Sequence, residues 1–238
     1  MKFMAKLFFS LLVIGLAGPL PIAGVEPSAW QVSDFKEFLK GTLTGVSISM
    51  DGQLGLAPQA KVVFNPDEAL ALSLVADRQH NLYLGTGHQG KVFRITAAGK
   101  SSLFLKTQEP DVFALAVGPD GDLYVGTSPE GRIYRVNSEG KSSVFYDSNT
   151  KYIWAMVFDP EGRLYVATGD QGQILRVDRS GKGTVFFDSN QTHIMCLAFD
   201  HHNNLLAGSV PDGLVYRIAP DGKAFVIYQR IFRKFTTW

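Results

Sequence analysis

A chain of 238 residues that is 45% hydrophobic and 19% charged carries enough apolar material for a sizeable core, which excludes collagen, low-complexity disorder and a multi-span membrane protein. Twenty-three Lys and Arg against twenty-two Asp and Glu leave a formal charge of +1, so no global field favours nucleic acid. The single cysteine, Cys196, excludes an internal disulfide, a zinc knuckle and a paired-thiol redox motif.

Met1 to Lys6 carry two lysines and no acid, Leu7 to Gly18 form an apolar run, and Pro19 and Pro21 end any helix. With small residues at Ala23 and Gly24, this predicts a signal peptide over 1–24, a mature chain starting near Val25, and a periplasmic or secreted location with no membrane insertion after cleavage. An uncleaved anchor over Leu7 to Val25 is the competing reading. Residues 25–42 follow as an N-terminal segment with one short helix, in which Ser33 caps, Phe35, Phe38 and Leu39 share a face and Gly41 closes the end.

From residue 43 the chain reads as strands. Residues 43–65, with Val46-Ser47-Ile48, Asp51-Gly52 and Val62-Val63-Phe64, are expected to be part of a blade. A repeat then takes over: Leu82-Tyr83-Leu84-Gly85-Thr86 recurs at Leu123 to Thr127, Leu164 to Thr168 and Leu205 to Ser209, each step being 41 residues. The same step relates Gly90, Gly131, Gly172 and Gly213, then Arg94, Arg135, Arg176 and Arg217, then Gly99, Gly140, Gly181 and Gly222.

Within one unit, Val112 to Val117, Leu123 to Thr127, Ile133 to Val136 and Val144 to Tyr146 are apolar stretches separated by Pro-Asp-Gly, Pro-Glu-Gly and Ser-Glu-Gly turns. Four strands with apolar groups on both faces require a neighbour on each side. The fold class is therefore all-β, a β-propeller of four-stranded antiparallel blades with a 41-residue repeat, four of them over 66–229. A tail, 230–238, breaks the pattern with Arg230, Arg233 and Lys234 where Ala and Leu belong, so the ring is expected to be incomplete, as in a fragment of a larger propeller. The other option is a small ring closed by 45–64 and the tail.

The second strand, as Asp120-Gly121-Asp122-Leu123-Tyr124-Val125 and Asp159-Pro160-Glu161-Gly162-Arg163-Leu164-Tyr165-Val166, resembles the blades of NHL, gluconolactonase (regucalcin-like) and streptogramin-lyase-like propellers more closely than those of WD repeats. The resemblance covers residues 66 to 228 and implies architecture. Such folds host lactonases, lyases and pure binding platforms.

The arginine series, present in every blade, reads as structural, and Cys196 stands where other inner strands have Ala114 and Ala155, which reads as a small buried site. Function is expected where the repeat breaks. Two sets of loops vary, those between second and third strands and those before inner strands, and they give His88, Asp111, Glu130, Tyr152, Asp170, His193 and Asp212 as candidate ligand-binding residues on one rim. His201, His202, Asp120 and Glu161 are expected on the opposite face. Oxygen-rich side chains suit Ca²⁺ or a polar ligand, and equally suit turns. No catalytic constellation or resident cofactor is visible: a phosphate loop, a Gly-x-Ser-x-Gly elbow and a two-histidine zinc helix are absent.

The reading is a binding or scaffold module for a small molecule, a glycan or a protein, with no nucleic-acid partner. The resemblance leaves a metal-dependent lactonase-like hydrolase as the alternative.

Overall fold

The computed structural model describes Lys36 and residues 40–58 and 61–229. The predicted signal peptide, nearly all of the predicted short helix and the tail 230–238 lie outside the described residues. The chain divides into two units, 1–61 and 62–238. In the first, β1 (Val46–Ile48) and β2 (Leu54–Leu56) form an antiparallel hairpin with Ser47 opposite Gly55, turning through Asp51-Gly52. Val62-Val63-Phe64, expected as a further strand of that partial blade, is not one. Phe64 instead packs its ring 5.3 Å from that of Phe93, within the second unit.

The second unit contains four sheets of four strands. They are β3 (Ala71–Ala76), β4 (Leu82–Thr86), β5 (Lys91–Ile95) and β6 (Ser101–Lys106); β7 (Asp111–Val117), β8 (Leu123–Ser128), β9 (Arg132–Val136) and β10 (Ser142–Asp147); β11 (Ile153–Phe158), β12 (Leu164–Thr168), β13 (Gln173–Val177) and β14 (Gly183–Asp188); β15 (His193–Phe199), β16 (Leu205–Val210), β17 (Leu214–Ile218) and β18 (Ala224–Gln229). In each sheet the strands pair antiparallel in chain order. The inner strands β3, β7, β11 and β15 pack side by side, so the sheets stand as successive blades, and among the described residues the ring is not closed.

Alternation along the inner strands decides which blade covers which side chain. Ala114 and Ala116 of β7 join a cluster with Ile153 and Met156 of the following blade, whereas Leu115 joins one with Val92 and Leu105 of the preceding blade. A small pair on the forward face thus receives a large residue from the next inner strand. Farther out, Tyr124 meets Phe145 of its own blade and Phe158 of the next, at 5.0 and 4.9 Å between ring centres. Tyr165 meets Phe186 and Phe199 in the same way, and all four pairs are edge-on.

Every blade also carries two bulges. One skips Leu72, Phe113, Trp154 or Met195 in the inner strand, and the other skips Phe104, Phe145, Phe186 or Ile227 in the outer strand. A bulge re-aims its side chain. The outer ones turn Phe104, Phe145 and Phe186 onto Tyr83, Tyr124 and Tyr165.

The repeated arginines serve their own blades or the next. Arg135 holds Asp122 at 2.7 Å and Asp120 at 2.9 Å, Arg94 and Arg176 lie over the rings of Phe104 and Phe186, and Arg94 also donates to the Ser138 carbonyl. Cys196 departs from expectation. It is exposed where the equivalent Ala114 is only 3% exposed, because among the described residues no blade follows β15 to β18 to cover it.

Candidate functional site

The loops between second and third strands share an edge with the start of each inner strand, as the pairing of Asp111 with Ser128, Ile153 with Thr168 and His193 with Val210 requires. Buried hydroxyls fix these loops. Thr86, Thr127 and Thr168 each donate from Oγ1 to the carbonyl five residues on, and Ser148 and Ser189 donate to the carbonyls of Gly131 and Gly172. Gly131 has φ +60°, and a Cβ there would lie 2.0 Å from the Thr150 carbonyl oxygen, so the loop closes against its neighbour only with glycine.

A second contact then ties each loop to the next inner strand. The backbone N–H of His88 donates to Asp111 Oδ1 at 2.9 Å, and 82 residues on, that of Asp170 donates to His193 Nδ1 at 3.3 Å. Between them the loop residue is Pro129, which has no N–H, and the matching inner-strand residue is Tyr152, which offers a ring in place of an acceptor. That ring stacks on Trp154, with centres 5.0 Å apart and planes 13° from parallel.

Trp154 is the bulged residue of β11, and its position explains its role. Its Nε1–H donates to His193 Nδ1 at 3.3 Å, its ring meets His193 edge-on at 5.7 Å, and Phe113, the bulged residue of β7, lies 4.7 Å away. Gly169 makes room: a Cβ there would sit 2.7 Å from both His193 Nδ1 and Trp154 Nε1. With two N–H groups on Nδ1, the imidazole carries its proton on Nε2, which has no partner among the described residues and is a donor for a ligand.

The seven sequence candidates are sorted by these contacts. Asp111 and the Nδ1 of His193 are used internally, and Asp212 is held by Gln191, which donates from Nε2 to its carboxylate at 3.0 Å and accepts its backbone N–H. His88 is exposed at the first loop. Glu130 and Asp170 remain presented, and with Pro129, Asp147, Asn149, Thr150, Lys151 and Gln171 they line a cleft of about 390 Å³. Lys151 reaches Asp170 at 3.4 Å, so one residue joins the polar cleft to the aromatic cluster. Asp120, Glu161, His201 and His202 lie in the turns joining first and second strands, at the other end of those strands. Among the described residues, no three His, Cys, Asp or Glu side chains gather as metal ligands.

Sequence reasoning missed Trp154, Phe113 and Gln191. The signal was present in the first two: the bulge position reads Leu72, Phe113, Trp154 and Met195, a break in the repeat inside a strand instead of a loop. Further clefts on the opposite edge are lined by repeat-equivalent sets, such as Tyr124, Arg135 and Phe145 or Tyr83, Arg94 and Phe104. Recurrence marks them as products of the architecture. In the rim cleft Asp147 and Asn149 recur as Asp188 and Asn190 in the next blade, whereas Glu130 and Lys151 become Gln171 and Thr192.

No protein-family model matches the sequence, and a search of curated proteins finds no sequence match. Solved structures do match. Virginiamycin B lyase from Staphylococcus aureus aligns with a TM-score of 0.61 at 19% identity, over 76% of this chain and 61% of that one. A streptogramin B lyase aligns at 0.61 and 15% over 76% and 60%, and a protein named as a gluconolactonase at 0.56 and 18% over 76% and 68%. The chain thus spans about three fifths of the length of the two lyases. These neighbours are named as lyases and as a gluconolactonase, and the likeness is one of fold: the four sheets are blades of a β-propeller.

Proposed function

We propose that the blade array is a secreted or periplasmic binding module that takes a glycan at its rim. The observation that carries this reading is the pairing of the part-exposed Tyr152–Trp154–His193 cluster with the acidic cleft beside it. Aromatic faces take up the apolar faces of pyranose rings, while Glu130, Asp170 and His193 Nε2 supply two acceptors and a donor for hydroxyls. Preorganisation supports binding: the loops are clamped by buried hydroxyls, so little side-chain freedom is lost on association. Calorimetric titration of the full chain with neutral hexose and N-acetylhexosamine oligosaccharides tests the reading. Saturable binding that Trp154→Ala abolishes supports it, and heat changes identical in both proteins count against it.

A lactonase-like hydrolase is the second reading, favoured by the gluconolactonase name of one structural neighbour; the cleft carboxylates Glu130, Asp147 and Asp170 do not gather as metal ligands as they stand and would have to draw together around an ion. It requires a metal to activate water. A rise in Tm on adding Ca²⁺ that Glu130→Gln and Asp170→Asn remove, together with lactone turnover, would favour it over simple binding.

A further inference from the structure

We propose that the rim is gated by protons: protonation of the His193 imidazole takes apart the Tyr152–Trp154–His193 cluster and releases the glycan held there. This rests on the glycan reading and adds its regulation. The repeat supplies an internal comparison. At the junction of the first and second blades the loop N–H, that of His88, is accepted by Asp111 Oδ1 at 2.9 Å. At the junction of the third and fourth the equivalent N–H, that of Asp170, is accepted by His193 Nδ1 at 3.3 Å, and the Trp154 Nε1–H shares that nitrogen at 3.3 Å. A carboxylate stays an acceptor whether or not histidines are charged, whereas an imidazole loses its acceptor nitrogen on taking up a proton, ordinarily between about pH 8 and 5.

An imidazolium carries N–H at both ring nitrogens, so turning the ring over restores nothing. Nδ1–H would then face two N–H groups, and one side must give way. The Asp170 side is fixed. Thr168 Oγ1 donates to the Gln173 carbonyl and accepts the Gln173 N–H, and the Gly169 N–H donates to the Tyr152 carbonyl. The groups left to move are the imidazole and the indole. Of the titratable groups around the ring, the Asp170 carboxylate is taken by Lys151 at 3.4 Å, and the Asp212 carboxylate, in the loop after its pairing partner Val210, by Gln191 at 3.0 Å. Tyr152 presents its ring, 6.1 Å away. None of them replaces Nδ1 as the acceptor for both N–H groups. In acid the indole therefore loses its pin, and the aromatic face parts from the Nε2 donor.

The free chain is tested first. The Trp154 indole ¹H–¹⁵N resonance and the ring nitrogens of His193 are followed from pH 8 to 5. They should titrate together with one midpoint while circular dichroism stays constant. An indole that stays in place while His193 takes up its proton overturns the gate. His193→Asp installs the acceptor used at the first junction, and its indole should hold still over the same range; an indole that titrates as in the parent answers to another group and overturns the gate as well. Calorimetry with the neutral oligosaccharides then reads the release. Affinity of the parent should fall about tenfold or more from pH 8 to 5, whereas His193→Asp, lacking the Nε2 donor, should bind more weakly at pH 8 and change less than about twofold. Equal affinity of the parent at both pH values overturns the gate. Absence of binding at pH 8 overturns the glycan reading instead, and the indole titration still decides the gate.

Discussion

The indole Nε1–H of Trp154 and the Nδ1 of His193 meet at 3.3 Å across the junction of the third and fourth blades, and the backbone N–H of Asp170 reaches the same nitrogen at the same distance. Two donors on one acceptor fix the ring, its tautomer and the direction of Nε2. Trp154→Phe keeps the stacking on Tyr152 and removes one of those donors. The expected result is a fold and melting curve close to the parent, a loosened imidazole seen in the ¹⁵N shifts of His193, and glycan affinity lowered about tenfold, as for a lost hydrogen bond of about 1.4 kcal/mol.

Gly169 lines the back of the cluster. Its replacement by alanine places a methyl 2.7 Å from His193 Nδ1 and Trp154 Nε1 and 2.8 Å from Tyr152 Cβ, so the three side chains must separate. Overpacking of this kind costs about 1–3 kcal/mol. Near-ultraviolet circular dichroism should change, urea unfolding should shift to lower denaturant, and rim binding should be lost. The same substitution at exposed Gly99, where an added Cβ meets nothing within 4 Å, should leave binding intact although its positive φ carries some strain.

Glu109 is 3% exposed and accepts from Arg132 Nη1 at 2.9 Å and from the Tyr134 hydroxyl at 3.0 Å. Arg132 is a third exposed, which discounts the cost of breaking the pair. Glu109→Ala should destabilise by about 2 kcal/mol, read from urea midpoints, because it strands a phenol and a guanidinium. Exposed Glu130→Ala should stay within about 0.5 kcal/mol while weakening the rim.

Burial, followed by the nearby Asp120 charge, pushes the Tyr124 hydroxyl up to about 12, and burial raises Tyr83 and Tyr165 as well. The folded chain then keeps protons that the unfolded chain releases above its ordinary value of 10.0. Stability is fully present below that value and falls as pH rises through the window between them. Melting temperatures taken from pH 9 upward should drop steeply in the parent, and less so in Tyr124→Phe, if the phenol is the linked group.

The blades were legible because a 41-residue step without insertion repeats glycines, arginines and strand residues together, which only stacked equivalent units explain. The rim loops were legible as breaks in that repeat. What escaped is geometric. Pairing register is invisible in sequence, so the bulges that turn Phe113 and Trp154 toward the mouth were hidden inside strands that read as regular. Cys196 was misjudged for a related reason: its repeat position sits under a following blade, and whether such a blade covers it is not a property of the position. Among the rim candidates, residue type alone did not separate Asp111 and Asp212, consumed by loop contacts, from Glu130 and Asp170, which face the cleft.

The most direct measurement is a ¹H–¹⁵N spectrum of the full chain during titration with the oligosaccharides, following the indole resonance that Trp154→Phe removes and the ring nitrogens of His193. Binding at the rim predicts that both move together and saturate with the calorimetric curve, while His201 and His202, in the turns at the other edge, stay still. Saturable binding that shifts His201 and His202 and leaves Trp154 and His193 unmoved would contradict the account.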